Sequence, residues 1–277
     1  MQIEARRASN PIVRKCAMVP ILFIKLIVSI TLVLTLSAVA EHVSPRAAGL
    51  LAGYPAGATI TLFFIGLDIS PEFAADSAVY TMMGLVATEV FVYCYFKSTL
   101  YFKRFSIVIS SVFAIIGYFI VTWILHYVRL NKFLAALIPV ASIFVFVYLF
   151  RQIQNTIIEN RVKLTPKILF LRAFLAGFII LIIIGTAKFV GSRWAGLFSA
   201  FPSTLFPLIL IVHLTYDKAH VHTIIKNFPL GLGSLITYSL CVSIVYPTSG
   251  IYIGTVISLA AASVYLLLYR LIAIRTR

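Results

Sequence analysis

The sequence predicts an all-α polytopic membrane protein of about nine transmembrane helices, arranged as two repeats of opposite topology. Three observations carry this expectation. Of the 277 residues, 61% are hydrophobic and only 11% are charged, with a mean hydropathy of +1.05. Such a composition lies outside that of soluble domains. Several apolar runs reach the roughly 20 residues that a helix needs to cross a bilayer. The third observation is an internal echo at a spacing of 147 residues: EHVSPRAAGLLAGYPAGATITLFFI returns as KFVGSRWAGLFSAFPSTLFPLILIV. Arg46 meets Arg193 in that register, Gly49 meets Gly196, Pro55 meets Pro202, Gly84 meets Gly231 and Cys94 meets Cys241. Duplicated units with Gly/Pro-interrupted apolar segments are the pattern of transporters.

The whole chain reads as one membrane domain with short loops. The basic leader MQIEARRASNPIVRKCAM precedes a first apolar run at 19–40. That run is long and lacks a small-residue cleavage site, which favours a retained span over a cleaved signal. In the second run, 47–67, Gly49, Gly53 and Gly57 recur every four residues and line one helical face, where another backbone can approach closely. Pro55 removes one helical amide and frees a carbonyl in the preceding turn. Runs 77–97, 105–127 and 133–150 complete a first unit at about 19–150. Pro139 permits a kink in the last of these without preventing a crossing. The topology depends on that crossing, because without it the repeats run parallel. RQIQNTIIENRVKLTPK (151–167) reads as a solvated linker, or else as an amphipathic surface helix. A second unit, about 168–270, has runs at 168–187, 194–214, 224–245 and 251–269. It keeps Gly196 and Pro202, places Ala200 and Ser203 near the other small positions, and adds Pro207. Spans two and seven are therefore expected to be bent or broken, with freed backbone groups facing a central cavity. Ordinary close packing would use the same residues.

The net charge of +15 comes from Lys and Arg clustered at span ends. Headgroups and topology account for it without nucleic acid. More of these cations fall on the side of the carboxyl terminus, which is expected to be cytoplasmic, although the basic amino terminus argues otherwise. Cys16, Cys94 and Cys241 show neither metal-ligand spacing nor a disulfide framework.

Candidate functional residues are few. Glu89 lies far from both ends of its apolar run, where a carboxylate must face protein or a water-filled cavity. It suits proton coupling or substrate binding, or pairing with a polar helix group; its counterpart is Ile236. Glu41 stands opposite Lys188 in the repeat register, and Arg46 opposite Arg193. These four read as interfacial anchors, or as groups of the substrate or ion pathway together with Pro55, Pro202 and Tyr238. Tyr54, Tyr93 and Trp194 are further candidates to line a cavity. Asp68, Glu72 and Asp76 form an acidic turn that Pro71 is expected to interrupt. His213, Asp217, His220 and His222 read as a polar interhelical loop rather than a zinc site. Asp68, Asp76 and His213 therefore mark a polar loop site. No HExxH, nucleophile elbow or phosphate loop is present. Neither enzyme activity nor a cofactor or metal is expected.

The stretch from Lys188 to Leu240 resembles the small bacterial inner-membrane family called GlpM, most clearly within 168–245. The resemblance rests on Lys188, Ala195, Gly196, Leu197, Phe201, Pro202, His213, Gly231 and Tyr238. The first unit is a degraded copy with Glu41 in place of the lysine and Gly66 in place of the histidine. The resemblance implies a bacterial cytoplasmic membrane and two such units fused in opposite orientation. It implies no defined activity.

The expectation is a secondary transporter working by alternating access at the repeat interface. Glu89 would provide proton coupling, and the substrate would be a small solute, an anion or a lipid phosphate. A non-catalytic membrane scaffold or lipid-associated accessory factor is the alternative. Expected partners are membrane lipids and a small solute or ion, with homo-oligomerisation left open.

Overall fold

The computed structural model describes residues 27, 31, 45–102, 104–155, 166–216 and 218–275. The span read at 19–40 and residue Glu41 thus lie outside the described residues, apart from two helical positions, as does most of the linker. Every regular element among the described residues is helical. The helices are α1 (Pro45–Ala52), α2 (Ala56–Asp68), α3 (Pro71–Tyr101), α4 (Ser106–His126), α5 (Lys132–Leu149), α6 (Pro166–Ser199), α7 (Leu205–Thr215) and α8 (Lys218–Arg275). Six helical stretches among the described residues are long and apolar enough to cross a membrane. This architecture fits an integral membrane protein.

Local chemistry sets the boundaries. Ser70 caps α3 by accepting a 3.1 Å hydrogen bond from the Phe73 amide, and Pro71 occupies its first turn. A proline there loses no helical hydrogen bond. The acidic turn predicted around Pro71 is corrected accordingly: Pro71 starts a helix, and Glu72 and Asp76 lie within it. Asn131 caps α5 through the Leu134 amide at 2.8 Å. Two long helices are divided by glycine. Gly191 (φ 80°, ψ 168°) splits α6, and Gly250 (φ 75°, ψ 175°) splits α8. These left-handed angles admit glycine without the strain that a Cβ would bring.

The element boundaries repeat as the sequence does. Shifted by 147, α1 becomes 192–199, the part of α6 beyond Gly191, and the end of α2 falls on the end of α7. α3 becomes 218–248, the part of α8 before Gly250, and α4 covers the part after it. Shifted likewise, α5 would fall at 279–296.

α3 is the central helix. Met82, Met83, Leu85, Phe91, Val92 and Tyr95 are buried along it, packed with Leu205, Ile209, Ile224 and Phe228. α4 and α5 lie outside and expose Val112, Phe119, Trp123, Leu137 and Phe144, as lipid-facing helices do. Arg172 is buried within α6.

Candidate functional site: the paired helix breaks

The two Gly/Pro segments break their helices in the same way. In the first, the Gly53 amide donates to the Leu50 carbonyl, Tyr54 to Leu51, Ala56 to Tyr54 and Thr59 to Pro55. In the second, Ala200 donates to Leu197, Phe201 to Phe198, Ser203 to Phe201 and Phe206 to Pro202. Each bond of the second set is the first shifted by 147 residues. The prolines explain the shared form. A proline disfavours helical geometry in the residue before it, here Tyr54 or Phe201. The chain then makes one tight turn, and a new helix starts.

Glycines bring the two breaks against the opposite unit. A Cβ added to Gly49 would lie 2.4 Å from the Ile224 carbonyl oxygen, and one on Gly196 would lie 2.0 Å from that of Ser77. A Cβ on Gly53 would lie 2.3 Å from the Gly231 carbonyl carbon, and one on Gly84 would lie 2.7 Å from the Ala200 Cβ. Each pair of contacts exchanges under the 147-residue shift. Such reciprocity marks a two-fold relation, in which patch i meets j and j meets i.

Between the breaks lies a cavity of about 20 Å³, room for one water-sized group. Tyr54, Gly57 and Ala58 line it from the first break, and Ser203 and Thr204 from the second. Thr88 of α3 closes one side and donates a 2.6 Å hydrogen bond to the Ala200 carbonyl. The Tyr54 hydroxyl is 3.1 Å from the Ser263 hydroxyl. Three hydroxyls hold the second break: Thr81 on the Gly196 carbonyl at 3.1 Å, Thr88 on Ala200, and Tyr118 on Leu197. Sequence reasoning missed this set. Its signal was Thr81 and Thr88, one heptad apart and flanking Gly84 on an otherwise apolar run.

Glu89 is next to Thr88, about 100° further round the helix. It is fully buried and faces α5, where the Ser142 hydroxyl donates to its Oε2. The same hydroxyl lies 2.9 Å from the Pro139 carbonyl, which competes for its single hydrogen. Oε1 of Glu89 is buried without a hydrogen-bond partner.

The remaining candidates scatter. Pro55 and Pro202 are both buried at the breaks. Lys188 is exposed, three residues before Gly191. Arg193 follows that glycine and stands 5.8 Å over the Tyr80 ring. Arg46 lies in α1, and its side chain is outside the described residues, so the pairings of Arg46 with Arg193 and of Glu41 with Lys188 stay untraced. Tyr238 lines no part of the cavity. It is fully buried among Leu62, Ile65 and Val242, and its hydroxyl has no well-formed hydrogen bond. Trp194 stacks on His126 at 4.5 Å.

The polar loop site is corrected. Asp68 ends α2 and Asp76 is exposed near the start of α3. His213 belongs to α7, its Nδ1 2.8 Å from the Tyr95 hydroxyl near the far end of α3. At 1.5 Å per residue the two ends are roughly 28 Å apart along the helix. His220 and His222 are likewise helical, and His222 Nε2 meets the Thr99 hydroxyl at 2.7 Å. The described residues on either side, up to Thr215 and from Lys218, are helical, and Asp217 lies outside the described residues. Among the described residues no cluster of His, Cys, Asp and Glu could hold a metal ion.

No protein-family model matches this chain, and no curated protein or solved structure matches it.

Proposed function

We propose that the chain is a secondary transporter in which two inverted repeats rock about the paired helix breaks. The reading rests on one observation: two helix breaks with the same hydrogen-bond pattern enclose a shared cavity between the units. Discontinuous helices at a repeat interface are how secondary transporters build midplane sites. In this reading each break with its flanking helix pieces makes one crossing, and Gly250 separates two more. Together with the run at 19–40 they make nine spans. Short connections join most of the helices, and α5 supplies the odd crossing that inverts the second unit. The GlpM-like residues Gly196, Phe201 and Pro202 fall at the second break, and Gly231 packs against the first, which supports a common architecture with that family.

Glu89 is the proposed coupling group. A buried carboxylate with one unsatisfied oxygen is stable when protonated, and its charge calls for water or a cation on deprotonation. The test is solute-driven proton flux in liposomes holding the purified chain, under an imposed pH gradient. Glu89→Gln, which keeps the Ser142 contact, is expected to abolish proton-coupled accumulation. Undiminished coupling in the variant removes Glu89 from the mechanism. Absence of flux across broad solute classes instead favours the scaffold reading.

A further inference from the structure

We propose that the hydroxyls of Tyr54, Thr59 and Tyr238, beside the cavity, form a binding site for a small uncharged solute that carries both a hydrogen-bond donor and an acceptor. The inference deepens the transport reading and rests on it for its physiological role. The site itself is argued from the two-fold relation and from which hydrogens are already committed.

When the two units are exchanged by the 147-residue shift, these three residues become Phe201, Phe206 and Phe91. The three phenyl rings meet edge to face, with centroids 5.8 Å apart for Phe91 and Phe201, 5.3 Å for Phe91 and Phe206, and 6.2 Å for Phe201 and Phe206. On that side the fold fills the position with apolar packing alone. On the other side the same position carries three hydroxyls. Burying a hydroxyl without a partner is unfavourable, so packing does not call for them. Two of the three have no partner. Tyr238 is fully buried and Thr59 is only 5% exposed, and among the described residues neither hydroxyl makes a well-formed hydrogen bond. The Tyr238 hydroxyl nevertheless sits close to those of Thr59, Tyr246 and Tyr54. Polar groups gathered in this way are satisfied by a molecule that bridges them.

The committed hydrogens decide the class of that molecule. The Thr255 hydroxyl donates to the Ile251 carbonyl at 2.7 Å, and the Ser263 hydroxyl to that of Leu259 at 2.9 Å. Each hydroxyl has a single hydrogen. Tyr246, 2.7 Å from Thr255, and Tyr54, 3.1 Å from Ser263, are therefore the donors of their own bonds. Their oxygens remain as acceptors, while Tyr238 and Thr59 keep hydrogens to donate. An anion would use only the donors and a cation only the acceptors, whereas an uncharged amide or alcohol uses both. Leu62, Ile65 and Val242 pack around Tyr238 and offer no counter-charge. Tyr54 also lines the cavity between the breaks, which joins the site to the proposed path.

The experiment uses the detergent-purified full chain with Cys16, Cys94 and Cys241 replaced by serine. Thr59→Cys puts a thiol at the edge of the site, and Phe206→Cys puts one at the equivalent apolar position. Methyl methanethiosulfonate, which is small and uncharged, labels the thiols, and urea below its unfolding range is the probe solute. Urea is expected to slow labelling of Thr59→Cys saturably, by roughly tenfold at about ten times its dissociation constant, and to leave Phe206→Cys unchanged. Adding Tyr238→Phe, the side chain already used at position 91, should abolish the protection. Guanidinium and nitrate, planar ions of similar size, should give none. Failure of Thr59→Cys to react, equal effects of urea at the two positions, protection that survives Tyr238→Phe, or protection by either ion overturns the site. Uptake of the labelled solutes into liposomes holding the purified chain separates the two claims. Protection without uptake keeps the site and removes the transport reading. Uptake of another solute without protection by urea does the reverse.

Discussion

At Gly196 a methyl group has no room: its carbon would lie 2.0 Å from the Ser77 carbonyl oxygen. The obstacle is helical backbone in the second turn of α3 and cannot rotate away. Gly196→Ala must therefore separate the half-helix from α3, at a cost of about 1–3 kcal/mol for an overpacked contact. Gly185 is the internal comparison, since it sits in the same helix with nothing within 4 Å of its Cβ position. Gly185→Ala should be neutral or stabilising by up to ~1 kcal/mol, because alanine loses less backbone entropy in a helix. Unfolding midpoints of the two variants check the pair, and equal effects would contradict the close approach. The role of Gly196 was legible as a small residue in a four-residue register. Which backbone it meets was not, because Ser77 is more than 100 residues away in the chain. The same holds for Glu89. Its burial follows from its place in an apolar run, whereas Ser142 as its partner depends on how α5 packs.

The two broken helices are alike in backbone and unlike in support. Thr81, Thr88 and Tyr118 hold the carbonyls of Gly196, Ala200 and Leu197. Their counterparts for α1 are Phe228, Leu235 and Tyr265. The first two carry no hydroxyl, and Tyr265 donates to Leu230 at 3.2 Å instead. The half-helix 192–199 is thus anchored by bonds that α1 lacks. Local opening is easiest where fewest interactions hold an element. Amides of 48–52 should exchange with deuterium faster than those of 195–199. Thr88→Val should speed the second set and leave the first unchanged, each lost hydrogen bond being worth about 1 kcal/mol. Equal rates in the wild type would show that the hydroxyls do not set the difference. The breaks themselves were readable in advance, because proline acts on its nearest neighbours. The loop predicted around His213 was not, because polar residues there face Tyr95 and Thr99 across helices and leave the helical backbone intact. The caps at Ser70 and Asn131 are local signals too, yet Pro71 was read as an interruption when it marks a beginning.

For the whole molecule, the exchanged contacts require a two-fold relation but leave the direction of its axis open. An axis along the membrane normal would set the units parallel, and one in the membrane plane would invert them. Parity chooses between these. The first break itself, α3, α4, α5 and the part of α6 before Gly191 precede the second break, so equivalent segments run in opposite directions if all five of these cross. α5, at 18 residues, is long enough for the core of a bilayer. Phe102 and Ser249 make the test, since they stand 147 residues apart at the ends of equivalent helices and both are exposed. In a chain with Cys16, Cys94 and Cys241 replaced by serine, Phe102→Cys and Ser249→Cys should label with an impermeant maleimide from opposite sides of sealed, oriented vesicles. Labelling of both from one side would make the repeats parallel. It would also remove alternating access about an inverted pair, because that motion needs each unit to open toward the face that the other closes.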